Sequence, residues 1–305
     1  MVPSRRAVLL GSAALAAGCS GGGAEGRELR LATGPQGGPY EVLGERFAAE
    51  LRRTGLKVRV LRTAASVANL GMLADGRADL GLALADSAED AVAVRRLPIT
   101  ALARMYMNYV HLVVLRDSPV VAAAGLAGRT VAIGAQGSGT AVTAERVLDV
   151  AKLARPVRRV RMELDASFAA LRRGEIAGFF WSGGVPTPAL EAFARAAPVR
   201  LIPLDGLVAT LRRAFGPVYE VASVPAGSYR LGLPVSTIGT ASYLVCRADL
   251  SRDLAFTTTE TLFSRRDRLQ APNAPGGRLD KRYAIGTGSV PLHPGAARYY
   301  RSVYG

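Results

Sequence analysis

Cysteine is nearly missing from this chain of 305 residues, occurring only as Cys19 and Cys246. So low a count argues against a disulfide framework. Cys246 ends the apolar, strand-like run Ser242–Cys246 and reads as a buried, inert thiol. Histidine is equally scarce: His111 sits in an apolar run and His293 lies between Leu292 and Pro294. Neither has metal-ligand spacing, so no transition-metal site is expected and no cofactor is implied. There is no Gly-x-Ser-x-Gly elbow and Ser138 has no evident histidine base, which argues against a covalent enzyme. RNP-type aromatics and zinc-knuckle cysteines are absent, which argues against nucleic acid. Lysine occurs only at Lys57, Lys152 and Lys281, so the net charge of +15 is carried almost wholly by arginine. The arginines are scattered (Arg52, Arg53, Arg95, Arg96, Arg172, Arg173, Arg212, Arg213) rather than gathered in one tract. They read as a solvated basic surface, as attraction to anionic headgroups, or as a field favouring an anionic ligand.

What is present begins with a leader. Arg5 and Arg6 precede the apolar run Ala7–Ala17, which is too short for a bilayer that needs about 20 helical residues. The pattern is that of a signal peptide, with a weak twin-arginine character. Leu15-Ala16-Ala17-Gly18-Cys19 resembles a lipobox, with Ala16 where leucine is usual. Residues 1–18 are therefore read as the signal and Cys19 as the lipidation site, followed by a flexible linker over 19–27. The alternative is an ordinary cleaved signal or uncleaved anchor with Cys19 incidental.

With 49% hydrophobic residues the body can bury a substantial core, and its length suits about two domains. From Glu28 short apolar runs alternate with helical patterns: strands at Glu28–Ala32, Lys57–Leu61 and Asp79–Ala83, and helices over Tyr40–Arg53 and from Ser66, a candidate N-cap, to Gly76. The pattern restarts with strands at Tyr109–Leu115 and Arg129–Ile133, a helix to about Leu153, strands at Val157–Leu164, Ile176–Trp181 and Val199–Leu204, and helices over Ser167–Arg173 and Pro188–Ala196. Val235–Val245 reads as a strand, and Leu254–Phe263 and Pro291–Tyr300 as helices, the last packed on the first lobe. This is βαβ grammar, which favours largely parallel sheets flanked by helices. The expectation is an α/β fold of two lobes, 28–114 plus 231–305 and 115–230, with a ligand cleft between them.

Two glycine-rich turns, Thr33–Gly38 and Gly134–Thr140, each lie between a strand and a helix. A helix start offers unpaired N–H groups and about half a positive charge, and glycine lets a ligand approach the backbone. Such turns bind carboxylate or phosphate without a charged side chain. Neither matches a P-loop or GxGxxG. Each taken alone reads more readily as a tight βα connection, which needs glycine anyway; it is the pairing that points to a ligand.

The ordered set Thr33-Gly34, Gly37-Gly38 and Tyr40; Ser66–Leu70; Gly137–Thr140 with Val142-Thr143; Pro186–Leu190; Val224–Tyr229; and Pro291–Ala296 with Arg298–Tyr300 resembles the TAXI family. Those proteins are the solute-binding subunits of tripartite ATP-independent periplasmic (TRAP) transporters. The resemblance spans roughly Glu28 to Tyr300. It implies a two-lobed periplasmic-binding-protein fold of type II, an organic acid or amino acid ligand such as glutamate or 2-oxoglutarate, and a membrane permease as partner. By position it implies ligand contacts at Gly38, Tyr40, Ser66 and Asn69 in one lobe, and at Ser138, Gly139, Thr140, Ser182, Gly183 and Gly184 in the other. The sequence departs from the family at Leu84-Ala85-Asp86, where only the acid of a Gln-Ser-Asp stretch remains and a smaller or more apolar ligand would follow, and at Pro35-Gln36 and Trp181–Gly184, which bear on substrate identity more than on fold. Asp86 is read as a helix cap or a ligand contact, and Trp181 as lining the cleft or packing. The resulting expectation is an exported, lipid-anchored, monomeric, non-enzymatic binding protein on the periplasmic or cell-surface side of a bacterial membrane. A sensor for a membrane signalling partner is the alternative.

Overall fold

A computed structural model describes residues 28–269 and 279–305. The expected signal peptide, Cys19 and the linker lie outside the described residues. In chain order the elements are β1 (Leu29–Ala32), α1 (Pro39–Arg53), β2 (Val58–Leu61), α2 (Ser66–Ala74), β3 (Leu80–Leu84), α3 (Ala85–Glu89), β4 (Ile99–Leu115), β5 (Thr130–Ala132), α4 (Gly139–Val150), β6 (Arg158–Val160), α5 (Leu164–Arg172), β7 (Gly178–Gly183), α6 (Pro188–Ala196), β8 (Val199–Leu201), α7 (Val208–Phe215), β9 (Tyr219–Val224), β10 (Val235–Arg247), α8 (Arg252–Ser264), α9 (Arg266–Leu269), α10 (Lys281–Ala284) and α11 (Pro294–Tyr304). A π-helical turn, Asp90–Val94, follows α3. No helix among the described residues is long and apolar enough to cross a membrane.

One sheet runs through the molecule in the order β2-β1-β3-β10-β4-β7-β5-β6, with β9 on β10 and β8 on β4. Its two long strands, β4 and β10, pair antiparallel and belong to both lobes. At 3.3 Å per residue β4 spans on the order of 55 Å, enough to traverse two small cores. Lobe I packs Leu31, Phe47, Leu51, Leu82, Leu102, Leu262 and Tyr300 around its half of the sheet. Lobe II packs Val110, Leu112, Val131, Val147, Phe180, Leu211 and Tyr219.

Local chemistry accounts for the helices that matter. In α1, Pro39 takes the first helical position, Glu41 lies in the first turn and Arg52 and Arg53 in the last, all in accord with the helix dipole. Its Phe47, Ala48 and Leu51 are buried at the spacing of one helical face. Helix α11 closes lobe I, as expected: its Tyr300 hydroxyl donates to the Leu102 carbonyl on β4 at 2.8 Å.

Three expectations need correction. The sheet is not largely parallel throughout: β2-β1-β3 and β6-β5-β7 are parallel, but β4, β8, β9 and β10 pair antiparallel. The chain does not change lobes at 114/115 and 230/231. Strand β4 already pairs with β7 at Tyr109, and β10 pairs with β9 as far as Thr240, so both crossings lie inside continuous strands. No linker composition marks a crossing that is itself a strand, and the Ala, Arg and Asn residues of Ile99–Asn108 hide the first half of β4. Ser66 is not the N-cap of α2; Ala65 is, at φ 82°, and Ser66 is the first helical residue. Helix α7 and strand β9 fall in a stretch left unassigned from sequence.

Candidate functional site

Between the lobes lies a cavity of about 340 Å³. Five helices begin at its wall: α1 at Gly38-Pro39, α2 at Ala65-Ser66, α4 at Ser138-Gly139, α5 at Glu163-Leu164 and α6 at Thr187. This convergence follows from the βα turns, which all leave the carboxyl ends of parallel strands. The first-turn amides of each helix have no intrahelical acceptor. In α4 the Ala141 amide is capped by Ser138 Oγ at 3.2 Å, which leaves the amides of Gly139 and Thr140 as the helix's free donors. Among the described residues lining the cavity there is no lysine or arginine; its only ionisable acids are Glu163 and Asp165, both exposed at the mouth. The apolar walls are Leu84, Met162, Leu164, Phe180 and Trp181. Each helix start presents about half a positive charge from backbone dipoles.

Gly38, Tyr40, Ser66, Ser138, Gly139, Thr140 and Ser182 all line this cavity. Their hydroxyls are differently engaged. Tyr40 is buried with its oxygen 2.7 Å from Ser242 Oγ on β10, and burial raises its pKa, so it stays protonated. Ser66 Oγ accepts from the Leu84 amide at 3.0 Å. Ser138 Oγ donates to the Ala135 carbonyl at 2.8 Å while capping α4. Thr140 Oγ1 accepts from the Ser182 amide at 3.2 Å, which leaves its proton to give. Ser182 Oγ is buried without a hydrogen-bond partner. A buried orphan hydroxyl carries an unmet cost that a ligand oxygen would remove.

Asn69, Gly183 and Gly184 are elsewhere. Asn69 is fully buried; its amide donates to the carbonyls of Thr33 at 2.6 Å and Leu82 at 2.7 Å, and its oxygen accepts from Thr63 Oγ1 at 2.5 Å. It staples α2 to two strands. Gly183 lets the Trp181 indole fold back: a Cβ there would stand 2.6 Å from Nε1. That Nε1 donates to Thr187 Oγ1 at 2.9 Å, which donates to the Gly184 carbonyl at 2.8 Å. The two glycines therefore shape the wall, and Trp181 lines it. His111 supports the same wall from beneath, with Nδ1 3.2 Å from the Trp181 carbonyl and Nε2 3.2 Å from the Tyr229 hydroxyl. Since a carbonyl only accepts, Nδ1 carries the proton; burial lowers the pKa to about 4 and keeps the ring neutral.

Sequence reasoning missed Asn108, Thr187 and the start of α5 at Glu163–Ser167 as wall residues. Asn108 carried a signal, a polar residue inside an apolar run. Asp86 touches neither solvent nor the cavity; it is 1% exposed and bonded across the lobes. The lobes are in contact elsewhere too: the Ala68 amide donates to the Gly137 carbonyl at 3.0 Å.

The model of the NMT1-like family matches residues 31–303, and the chain belongs to that family. Among solved structures it resembles a Bordetella bronchiseptica RB50 protein at 15% identity and a TM-score of 0.56, over 90% of this chain and 89% of that one. A Xanthomonas citri protein bound to ATP aligns at 16% identity and 0.51, over 90% and 95%. A putative L-cystine ABC transporter protein from Listeria monocytogenes aligns at 13% and 0.50, over 79% and 91%. These likenesses show the fold, the two-lobed α/β architecture described above.

Proposed function

We propose that this member of the NMT1-like family is an exported solute-binding protein that closes its lobes on a small organic anion and delivers it to a membrane permease. The observation that carries the reading is the interlobe cavity ringed by five helix starts, with no cationic side chain among the described residues of its wall. Helix N-termini hold carboxylates through N–H donors and dipoles, and each hydrogen bond to a charge contributes about 1.5–3 kcal/mol. The apolar walls suit the carbon body of an amino acid, 2-oxoglutarate or a related acid. Closure follows from differential affinity: only the closed form surrounds the anion from both lobes.

The finer assignment, to the TAXI receptors of TRAP permeases, rests on the ordered sequence motifs, and tethering through Cys19 rests on the lipobox-like run. A binding role rather than catalysis is supported by the state of the candidate nucleophile: the Ser138 hydroxyl is committed to capping α4. A transport-type neighbour supports the solute-binding reading at the level of fold.

Native mass spectrometry of freshly purified protein, followed by a thermal-shift panel of L-glutamate, 2-oxoglutarate, succinate and neutral amides of similar size, tests this. The expected result is a retained small anion and stabilisation by at least one acid but by none of the amides. A ligand-free protein indifferent to every acid defeats the reading.

A further inference from the structure

Away from the cavity, a buried chain of polar groups crosses from lobe to lobe twice. Asp86 lies in the first turn of α3, which follows directly on β3 of lobe I. Its Oδ1 accepts from the Ser87 amide at 2.6 Å and from the Ser87 hydroxyl at 3.2 Å, which fixes the carboxylate. Its Oδ2 accepts from two groups of lobe II, Thr143 Oγ1 on α4 at 2.6 Å and the Tyr219 hydroxyl on β9 at 3.0 Å. Arg146, three residues after Thr143 on α4, donates to the Tyr219 oxygen at 3.0 Å. The same guanidinium returns to lobe I, donating to Asp90 at 2.5 Å, and lies over the Phe215 ring at 4.6 Å from its centroid. Asp90 opens the π-helical turn, a winding that recurs at functional sites. Asp86, Thr143 and Tyr219 are all buried. None of the five residues lines the cavity.

These groups have lobe-II partners only while the lobes touch. Within lobe I, Asp86 retains only Ser87 among the partners described above. Opening exposes Asp86 and Arg146 to water, so the closed state is favoured only to the extent that their mutual bonds exceed hydration. Burial works against the Arg146 charge, but Tyr219 and the two carboxylates outweigh it, so the group stays cationic.

We propose that Asp86, Thr143, Tyr219, Arg146 and Asp90 form an interlobe latch that sets the balance between open and closed forms, and so tunes affinity without touching the ligand. A ligand that binds only the closed form has its apparent affinity reduced by the fraction closed. Removing one latch bond therefore weakens every ligand by the same factor, whatever its chemistry. This inference stands without the assignment of the ligand.

The test needs no ligand. Spin labels are placed on Glu45→Cys in lobe I and Val121→Cys in lobe II, both exposed positions, in a full chain carrying Cys19→Ser; buried Cys246 remains unlabelled. Double electron–electron resonance reads the interlobe distance. The parent should show one predominant short distance. Thr143→Val and Asp86→Asn should each raise the open-to-closed ratio at least tenfold, as a second, longer component. Asp75→Asn, which removes an exposed ion pair within lobe I, should leave the distribution unchanged. Folding of each variant is checked by circular dichroism, and Thr143→Val, the gentler change, decides alone if Asp86→Asn does not fold. Distributions that superpose for folded variants and parent overturn the latch, as does a parent already in the longer-distance form.

Discussion

Gly139 touches the opposite lobe, and adding one carbon to it should hold the cleft open. A Cβ on Gly139 would stand 2.8 Å from Leu84 Cδ1 and 2.9 Å from Ser66 Cβ, and closer still to Ser66 Oγ. Ordinary carbon contacts lie near 3.5–4.0 Å, so the overlap is about 1 Å. Ser66 cannot swing aside freely, because its oxygen accepts the Leu84 amide at 3.0 Å. Overpacking of this kind costs about 1–3 kcal/mol. Here the cost falls on the closed form alone, since Ser66 and Leu84 belong to lobe I and Gly139 to lobe II. Within its own helix Ala is better than Gly by up to about 1 kcal/mol. Gly139→Ala should therefore leave the melting temperature of the unliganded protein little changed while weakening the acid found in the thermal-shift panel, by up to roughly 150-fold where the penalty exceeds the preference for the closed form. Calorimetric titration measures the affinity, and small-angle scattering should show a larger radius of gyration. Unchanged affinity together with an unchanged radius would refute the claim that this contact closes the cleft.

Three further outcomes follow from particular residues. Ser182→Ala removes the orphan hydroxyl; the unliganded protein should hold its stability or gain up to about 1–3 kcal/mol as the unmet cost disappears, while affinity falls roughly tenfold or more, since a hydrogen bond to a charge is lost. Asn69→Ala removes the amide donors to the Thr33 and Leu82 carbonyls, the first of which keeps a weaker bond from Thr63 Oγ1 at 3.3 Å, and should cost about 1–3 kcal/mol in urea unfolding, with little change in the affinity of the folded protein. For His111 the folded pKa of about 4 lies below the usual 6.5, so between those values the unfolded chain binds the extra proton. Stability should be complete above pH 6.5 and fall by up to about 3 kcal/mol as the pH drops toward 4. His111→Gln should flatten that slope, and an equal acid loss in the variant would show that other groups carry it.

Much of the architecture was legible because the signals are local. Strand β1, the α1 stripe Phe47-Ala48-Leu51, helix α6 and the glycine turn before α4 all declare themselves within a dozen residues. The two crossing strands do not. Half of β4 is masked by Arg104 and Asn108, whose polarity is satisfied by partners on β9 and β10: Arg104 pairs with Glu220, and Asn108 donates to Ser242 Oγ. Such long-range pairs cannot be read from a window. The site was legible where it depends on backbone, at Gly38, Gly139 and Thr140, and misleading where it depends on side-chain direction. Asn69 has a plausible spacing for a cleft contact yet faces β1 and β3. Asp86 was weighed as a cap or a ligand contact; its partners in lobe II, over fifty residues away, decide for neither.

The central claim is that the free amides at the start of α4 hold the anion. It is tested most directly by following the backbone amide resonances of isotopically labelled protein during titration with the acid found in the thermal-shift panel. The account predicts the largest shifts at Gly139 and Thr140, saturating with the calorimetric affinity and accompanied by shifts at Tyr40 and Ser66 across the cleft. Saturable binding that leaves the Gly139 and Thr140 amides unmoved would contradict it.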